Sequence, residues 1–74
     1  MDNDFPLPKV GQQFLGVHCA PRATLTVLLV SSTHVYWRSE WSYIGVDFSV
    51  EIGCTHESYR QQRRLAFITP FVED

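Results

Sequence analysis

Apolar residues fall along this chain in two different rhythms, and the rhythms locate its elements. From Ile44 to Ile52 they recur at every second position, as Ile44, Val46, Phe48, Val50 and Ile52, with Asp47, Ser49 and Glu51 among the residues between them. Period two marks a strand with one buried face, because successive side chains point to opposite sides. The apolar side of "YIGVDFSVEIG" is therefore expected to face a core, with Gly53 ending the strand. Upstream, "ATLTVLLVSS" (23–32) is almost continuously apolar and rich in β-formers, which predicts a strand buried on both faces. "HVYWR" alternates again, placing Val35 and Trp37 on a core side and His34, Tyr36 and Arg38 on the other. Together with the polar "SST", these two segments predict a β-hairpin, with residues 41–43 either prolonging it or starting a loop.

The flanks are less periodic. Pro6 and Pro8 remove backbone donors and disfavour helix in the residues before them, so residues 1–9 read as an extended arm. "VGQQFLGVH" reads as a short strand and "CAPRA" as a turn. The tail "CTHESYRQQRRLAFITPFVED" supports two readings. Ser58 followed by Gln61 resembles a capping box and allows one helix over about 58–68. The preferred reading is a strand from Glu57 to Arg63, a turn of helix through "LAFITPF", and a closing strand at "FVE". Pro70 argues against a helix running to the end, and a compact barrel needs a last strand to close its edge.

Seventy-four residues, 45% hydrophobic and 19% charged, make one globular domain over 1–74. A chain of this size buries only about 60% of the surface it exposes when unfolded. The start "MDNDFPLPK" lacks the basic and apolar blocks of an export signal, and Leu25 to Val30 falls far short of the roughly 20 residues that span a bilayer. A soluble, cytoplasmic protein without membrane contact is expected. In that compartment Cys19 and Cys54 are expected as thiols rather than as a disulfide. The net charge is −2: residues 58–74 carry three basic against two acidic side chains, and residues 1–57 three against six. Nucleic-acid modules rely on a broad positive field, which this distribution lacks.

Few residues suggest chemistry. His18-Cys19 and Cys54-Thr55-His56 have the composition of a zinc site, but adjacent strand residues point apart and no Cys-x2-Cys knuckle is present. A thiolate paired with histidine would need a cleft and an orienting third group. The four glycines, at 11, 16, 45 and 53, form no phosphate loop. No catalytic residue, metal or cofactor is expected, and the chain is read as a non-enzyme.

The succession "KVGQQF", "TLTVLLVSSTHVYWR" and "RRLAFITPFVE" resembles the small SH3-like barrel proteins of phages and prophages, over about two thirds of the chain. Gly11 and Phe14, Val27 to Val30, Val35 to Arg38, and Leu65, Phe67 and Phe71 carry that resemblance. It implies a mainly β fold, a small barrel of about five antiparallel strands with a short helical turn near the C-terminus. Some phage proteins of this size are inhibitors that dock on a host defence complex or enzyme, so the resemblance also implies an inhibitor of the anti-defence type. The segment "SEWSYIGVDFSVEIGCTH" is longer than the simple turn expected at that place and is where the particular properties of this chain are expected.

Four of the ten aromatics lie within "HVYWRSEWSY". Tyr and Trp are enriched at binding hot spots because they bury much area while keeping a polar handle. Tyr36, Trp41 and Tyr43, with the carboxylates Glu40, Asp47 and Glu51 mimicking phosphate to a basic partner, are the candidate protein-binding residues. Trp41 covering an open end of the barrel is the competing structural role. Arg38, Arg60, Arg63 and Arg64, with Tyr36, form the alternative, a nucleic-acid surface of backbone contacts and stacking. A third partner is a second copy of the chain, paired through a strand edge beside Trp41.

Overall fold

Six elements follow one another: β1 (Gln13–Gly16), β2 (Ala23–Val30), β3 (His34–Tyr43), β4 (Val46–Thr55), α1 (His56–Arg64) and β5 (Ile68–Pro70). The computed structural model describes residues 5–16 and 22–71. The strands form one antiparallel sheet in the order β4-β3-β2-β1-β5, so the protein is mainly β as expected. Among the described residues no pairing joins β4 to β5, and the sheet is open. The arm expected at 1–9 is non-helical over Phe5–Lys9, while residues 1–4, most of the "CAPRA" turn and the end of the "FVE" strand lie outside the described residues.

The central hairpin is β2 paired with β3, and β3 runs on through Tyr43 rather than breaking at Trp41. Along β2, Ala23, Leu25 and Val27 are buried while Thr24 and Thr26 lie on the other face, half-exposed. A β-bulge then follows: Val27 pairs with Trp37, but Leu29 pairs with Tyr36, which leaves Leu28 as the extra residue. The bulge breaks the alternation and turns Leu29 outward, 54% exposed. Burial on both faces, expected from the apolar run, is thus corrected to one face.

The strand β4 corrects a second expectation. It does not end at Gly53 but continues to Thr55, and its apolar side does not face a core: Val46, Phe48, Val50 and Ile52 are all exposed. The reason is cover. The helix packs Tyr59 over Phe14 and Trp37, and among the described residues nothing lies over the edge strand β4 from Val46 to Ile52, so Val50 and Ile52 are exposed even though their partners Ser39 and Trp37 are buried.

The tail is a helix where a strand from Glu57 to Arg63 was expected. Thr55 caps it, its hydroxyl accepting from the Ser58 backbone N–H at 3.1 Å, so Ser58 is the third helical residue and not the cap. Glu57 in the first turn and Arg63 and Arg64 in the last complement the helix dipole. At the other end, Ala66 N–H donates to the Arg63 carbonyl and Phe67 N–H to the Gln62 carbonyl, a Schellman closure with Ala66 at φ 60°. The last strand is Ile68–Pro70, ahead of the expected "FVE".

The helix lays Tyr59 onto the sheet. Phe14, Leu25, Val27, Val35, Trp37, Tyr59 and Ile68 make the core, with Leu7, Val30 and Cys54 packed against it. Tyr59 meets Phe14 edge-on at 6.0 Å and Trp37 at 6.2 Å between ring centroids. Rings at such angles gain about 0.5–1.5 kcal/mol beyond their buried area. The Tyr59 hydroxyl, inside this cluster, accepts from Arg63 Nη1 at 2.9 Å.

Burial holds the Tyr59 phenol above the ordinary value of 10.0, with the Arg63 hydrogen bond and the charges of Arg63 and Arg60 pulling it partly back. A raised folded-state pKa contributes stability that is whole below about pH 10 and is lost as pH rises through the folded value. Urea unfolding at about pH 8 and about pH 11 should therefore show an alkaline loss that is smaller in Tyr59→Phe. Equal losses in the two proteins would assign the alkaline loss to other groups.

Candidate functional site

The site is built on the β3–β4 hairpin. Its loop is Ile44-Gly45, both at positive φ (51° and 74°), the two-residue turn whose twist suits a right-handed hairpin. Gly45 adopts this conformation at little cost, whereas Ile44 is β-branched and disfavoured there. Its side chain is 81% exposed and gains little in return. Val46 then pairs with Tyr43, and an unbroken register runs down to Thr55 opposite His34.

That register divides the hairpin into two unlike sides. On one lie Trp41, Tyr43, Val46, Phe48, Val50 and Ile52, continuing the face that carries Val35 and Trp37 at the core. Trp41 stacks on its cross-strand partner Phe48, 5.6 Å between centroids and 15° from parallel, and is half-buried. On the other lie Tyr36, Arg38, Glu40, Ser42, Asp47, Ser49 and Glu51. Here Arg38 Nη2 donates to Glu51 Oε2 at 3.1 Å, and the Ser42 hydroxyl donates to Asp47. The Tyr36 ring stacks on His34 and lies over Gly53, where a Cβ would meet it at 2.6 Å.

The six candidate protein-binding residues therefore share one hairpin but not one face. Trp41 and Tyr43 stand on the apolar side, and Tyr36, Glu40, Asp47 and Glu51 on the polar side. An open groove of about 520 Å3 near the hairpin brings Glu40, Asp47, Trp41 and Phe48 together with Arg22 and Thr24. The residues missed as candidates are Val46, Phe48, Val50 and Ile52, assigned to a core because of their alternation. No local signal in the sequence could have found them, since alternation marks a shared face and not what covers it.

The arginine alternative is split by the sheet. Arg38 lies on the side opposite Val35 and Trp37, whereas α1 packs Tyr59 onto the side that carries them. Two of the helix arginines hold the N-terminal arm. Arg60 Nε donates to the Phe5 carbonyl at 3.0 Å, and the Arg63 guanidinium sits 4.4 Å from the centre of the Phe5 ring. Arg64 pairs with Glu57 at 3.1 Å. Beside the arm is a second groove of about 580 Å3, whose walls include Leu7, Gln12, Tyr59, Arg63 and Phe71. That lining contains no histidine, cysteine or carboxylate.

Burial pushes the Cys54 thiol up, against a smaller opposing effect of its hydrogen bond with Ser58. This keeps the thiol in its less nucleophilic form. His56 faces the Ser31 carbonyl at 2.8 Å. His18 and Cys19 lie outside the described residues, and among the described residues no three His, Cys, Asp or Glu side chains are grouped to hold a metal. No helix of the described residues is long and apolar enough to cross a membrane.

Three outcomes follow for stability. Ile44→Asn, which accepts positive φ readily, should raise the unfolding free energy by about 1 kcal/mol in urea titrations. A loss instead would show that the Ile44 side chain contributes more than its exposure implies. Arg63→Ala removes a cation–π contact and the Tyr59 hydrogen bond, and should cost about 2 kcal/mol. Arg38→Ala breaks an exposed ion pair and should change stability by under about 1 kcal/mol. No family model matches this chain, and neither a curated protein nor a solved structure is matched by it.

Proposed function

We propose that this chain is a non-enzymatic protein-interaction module, working in the cytoplasm, that docks on a larger protein complex through the β3–β4 hairpin. One observation carries the reading: on the apolar side of the hairpin Tyr43, Val46, Phe48, Val50 and Ile52 are all exposed, and no described element lies over them. Monomers seldom expose a contiguous apolar area above a few hundred Å2, and these five large side chains lie side by side. The hairpin acts as a blade. Its apolar side supplies buried contact area, while Glu40, Asp47 and Glu51 on the reverse side engage basic groups of the partner.

The finer fold reading is a small SH3-like barrel. Five antiparallel strands with a short helix ahead of the last one support it. Its phage or prophage setting, with the anti-defence inhibitor role, is supported by the pattern in "KVGQQF", "TLTVLLVSSTHVYWR" and "RRLAFITPFVE". The nucleic-acid alternative gains no support from arginines that are split by the sheet, two of them, Arg60 and Arg63, holding the arm and two, Arg38 and Arg64, paired with carboxylates.

The test is capture of partners by the tagged protein from nuclease-treated host lysate, followed by affinity measurement with the recovered partner. A stoichiometric protein should survive nuclease, and Trp41→Ala should weaken its binding about 30-fold or more, the loss of a hot-spot residue. Reversing Glu40, Asp47 and Glu51 to Lys should weaken it as well. Partners that vanish on nuclease digestion, or binding indifferent to both changes, would overturn the reading.

A further inference from the structure

Among the described residues, the outer edge of β4 is a row of backbone groups with no strand beside it. In a two-residue hairpin the residues flanking the loop exchange both of their backbone hydrogen bonds, and the pairs then alternate. Starting from Tyr43 and Val46, the residues bonded to β3 are Val46, Phe48, Val50 and Ile52. Asp47, Ser49, Glu51 and Gly53 accordingly turn their N–H and C=O groups outward, and none of these four makes another backbone hydrogen bond. Natural sheets blunt such edges with shortness, proline, lysine or a bulge. The edge strand β5 does so, having three residues and ending in Pro70. The other edge is less protected: β4 is ten residues long, has neither proline nor lysine, keeps an unbroken register, and carries only two charges, Asp47 and Glu51.

We propose that β4 pairs antiparallel with β4 of a second copy of this chain, about a two-fold axis at Val50. Charge selects that register. An axis at Ser49 would set Asp47 opposite Glu51 twice, and an axis at Glu51 would set that carboxylate against itself; like charges directly opposed destabilise a ladder. With the axis at Val50, Ser49 stands opposite Glu51 of the second copy, Asp47 opposite its Gly53, Phe48 opposite its Ile52 and Val46 opposite its Cys54. Axes at Phe48 and at Ile52 also separate the carboxylates but pair fewer residues, because Glu51 meets the Gly45 turn in the first and only residues 49–55 overlap in the second.

A two-fold axis perpendicular to the sheet keeps both apolar sides on the same surface, so two narrow strips merge into one. Nine residues per strand take part, removing roughly 500–700 Å2 per copy against the ~800 Å2 of a standard interface. The dimer is therefore concentration-dependent. It uses the strand edge and stands whether or not the hairpin docks on a larger protein, since Trp41 and Tyr43 stay reachable in the joined sheet.

Light scattering of the purified full chain over a range of concentrations tests this directly. The mass should rise from 8.5 kDa towards twice that value as concentration increases. Ser49→Pro removes only an outward N–H, so it should stay folded by circular dichroism and remain monomeric. Ser49→Glu, facing Glu51 across both halves of the interface, should weaken the dimer several-fold, and Ser49→Lys should tighten it by a similar factor. Val50→Cys should give a disulfide between the two copies of position 50 on air oxidation, identified by peptide mapping, because facing residues of a non-hydrogen-bonded pair lie at disulfide distance. Phe48→Cys should not form the corresponding bond with its own copy. A protein that stays monomeric up to about 1 mM would overturn the proposal. So would a dimer indifferent to Ser49→Glu and Ser49→Lys, which would place the contact elsewhere.

Discussion

Cover is the scarce resource in this molecule. One nine-residue helix is the only helical layer among the described residues, and through Tyr59 it buries the sheet where Phe14, Val27 and Trp37 converge. The side chains directly beneath that contact are enclosed, and the core is consequently small. Arg63 secures the arrangement by donating to the Tyr59 hydroxyl and holding Phe5 of the arm from the same side chain.

The exposed hairpin follows from the same shortage. Strands β3 and β4 are each ten residues, and β2 is eight. A helix long enough to cover the excess would need residues that this chain spends on the hairpin itself. The outcome is a sheet whose amphipathic pattern is continuous from base to tip while its burial is not.

Much of the fold was legible in the sequence, and the errors have identifiable physical causes. The β2–β3 hairpin and the inward placement of Trp37 followed from alternation and turn chemistry, which are local properties. Burial of β4 did not follow, because alternation reports which residues share a face and carries no information on whether another element covers it. The strand reading of 57–63 rested on Pro70 and on a barrel edge to be closed, and neither bears on a helix that already ends at Arg64; its true signals, the Thr55 cap and a close at Ala66 without glycine, are weak in sequence. The bulge at Leu28 left no local mark, since it depends on the pairing of two strands. Of the candidate site, the placement of its residues on one hairpin was legible, and its division into two sides was only half legible. Arginine clustering in sequence proved uninformative about surface charge, since Arg60 and Arg63 turn toward the arm.

The contact between Tyr36 and Gly53 has a consequence for how the sequence can vary. The ring occupies the volume that any side chain at 53 would need. Position 53 is therefore not free to drift alone, whereas 36 is: a residue with a Cβ at 53 requires the ring at 36 to move, and loss of the ring merely opens an unused space. Substitutions at this pair are ordered in time. Descendants of this chain can reach a non-glycine at 53 by passing through a smaller residue at 36, and the reverse path is obstructed.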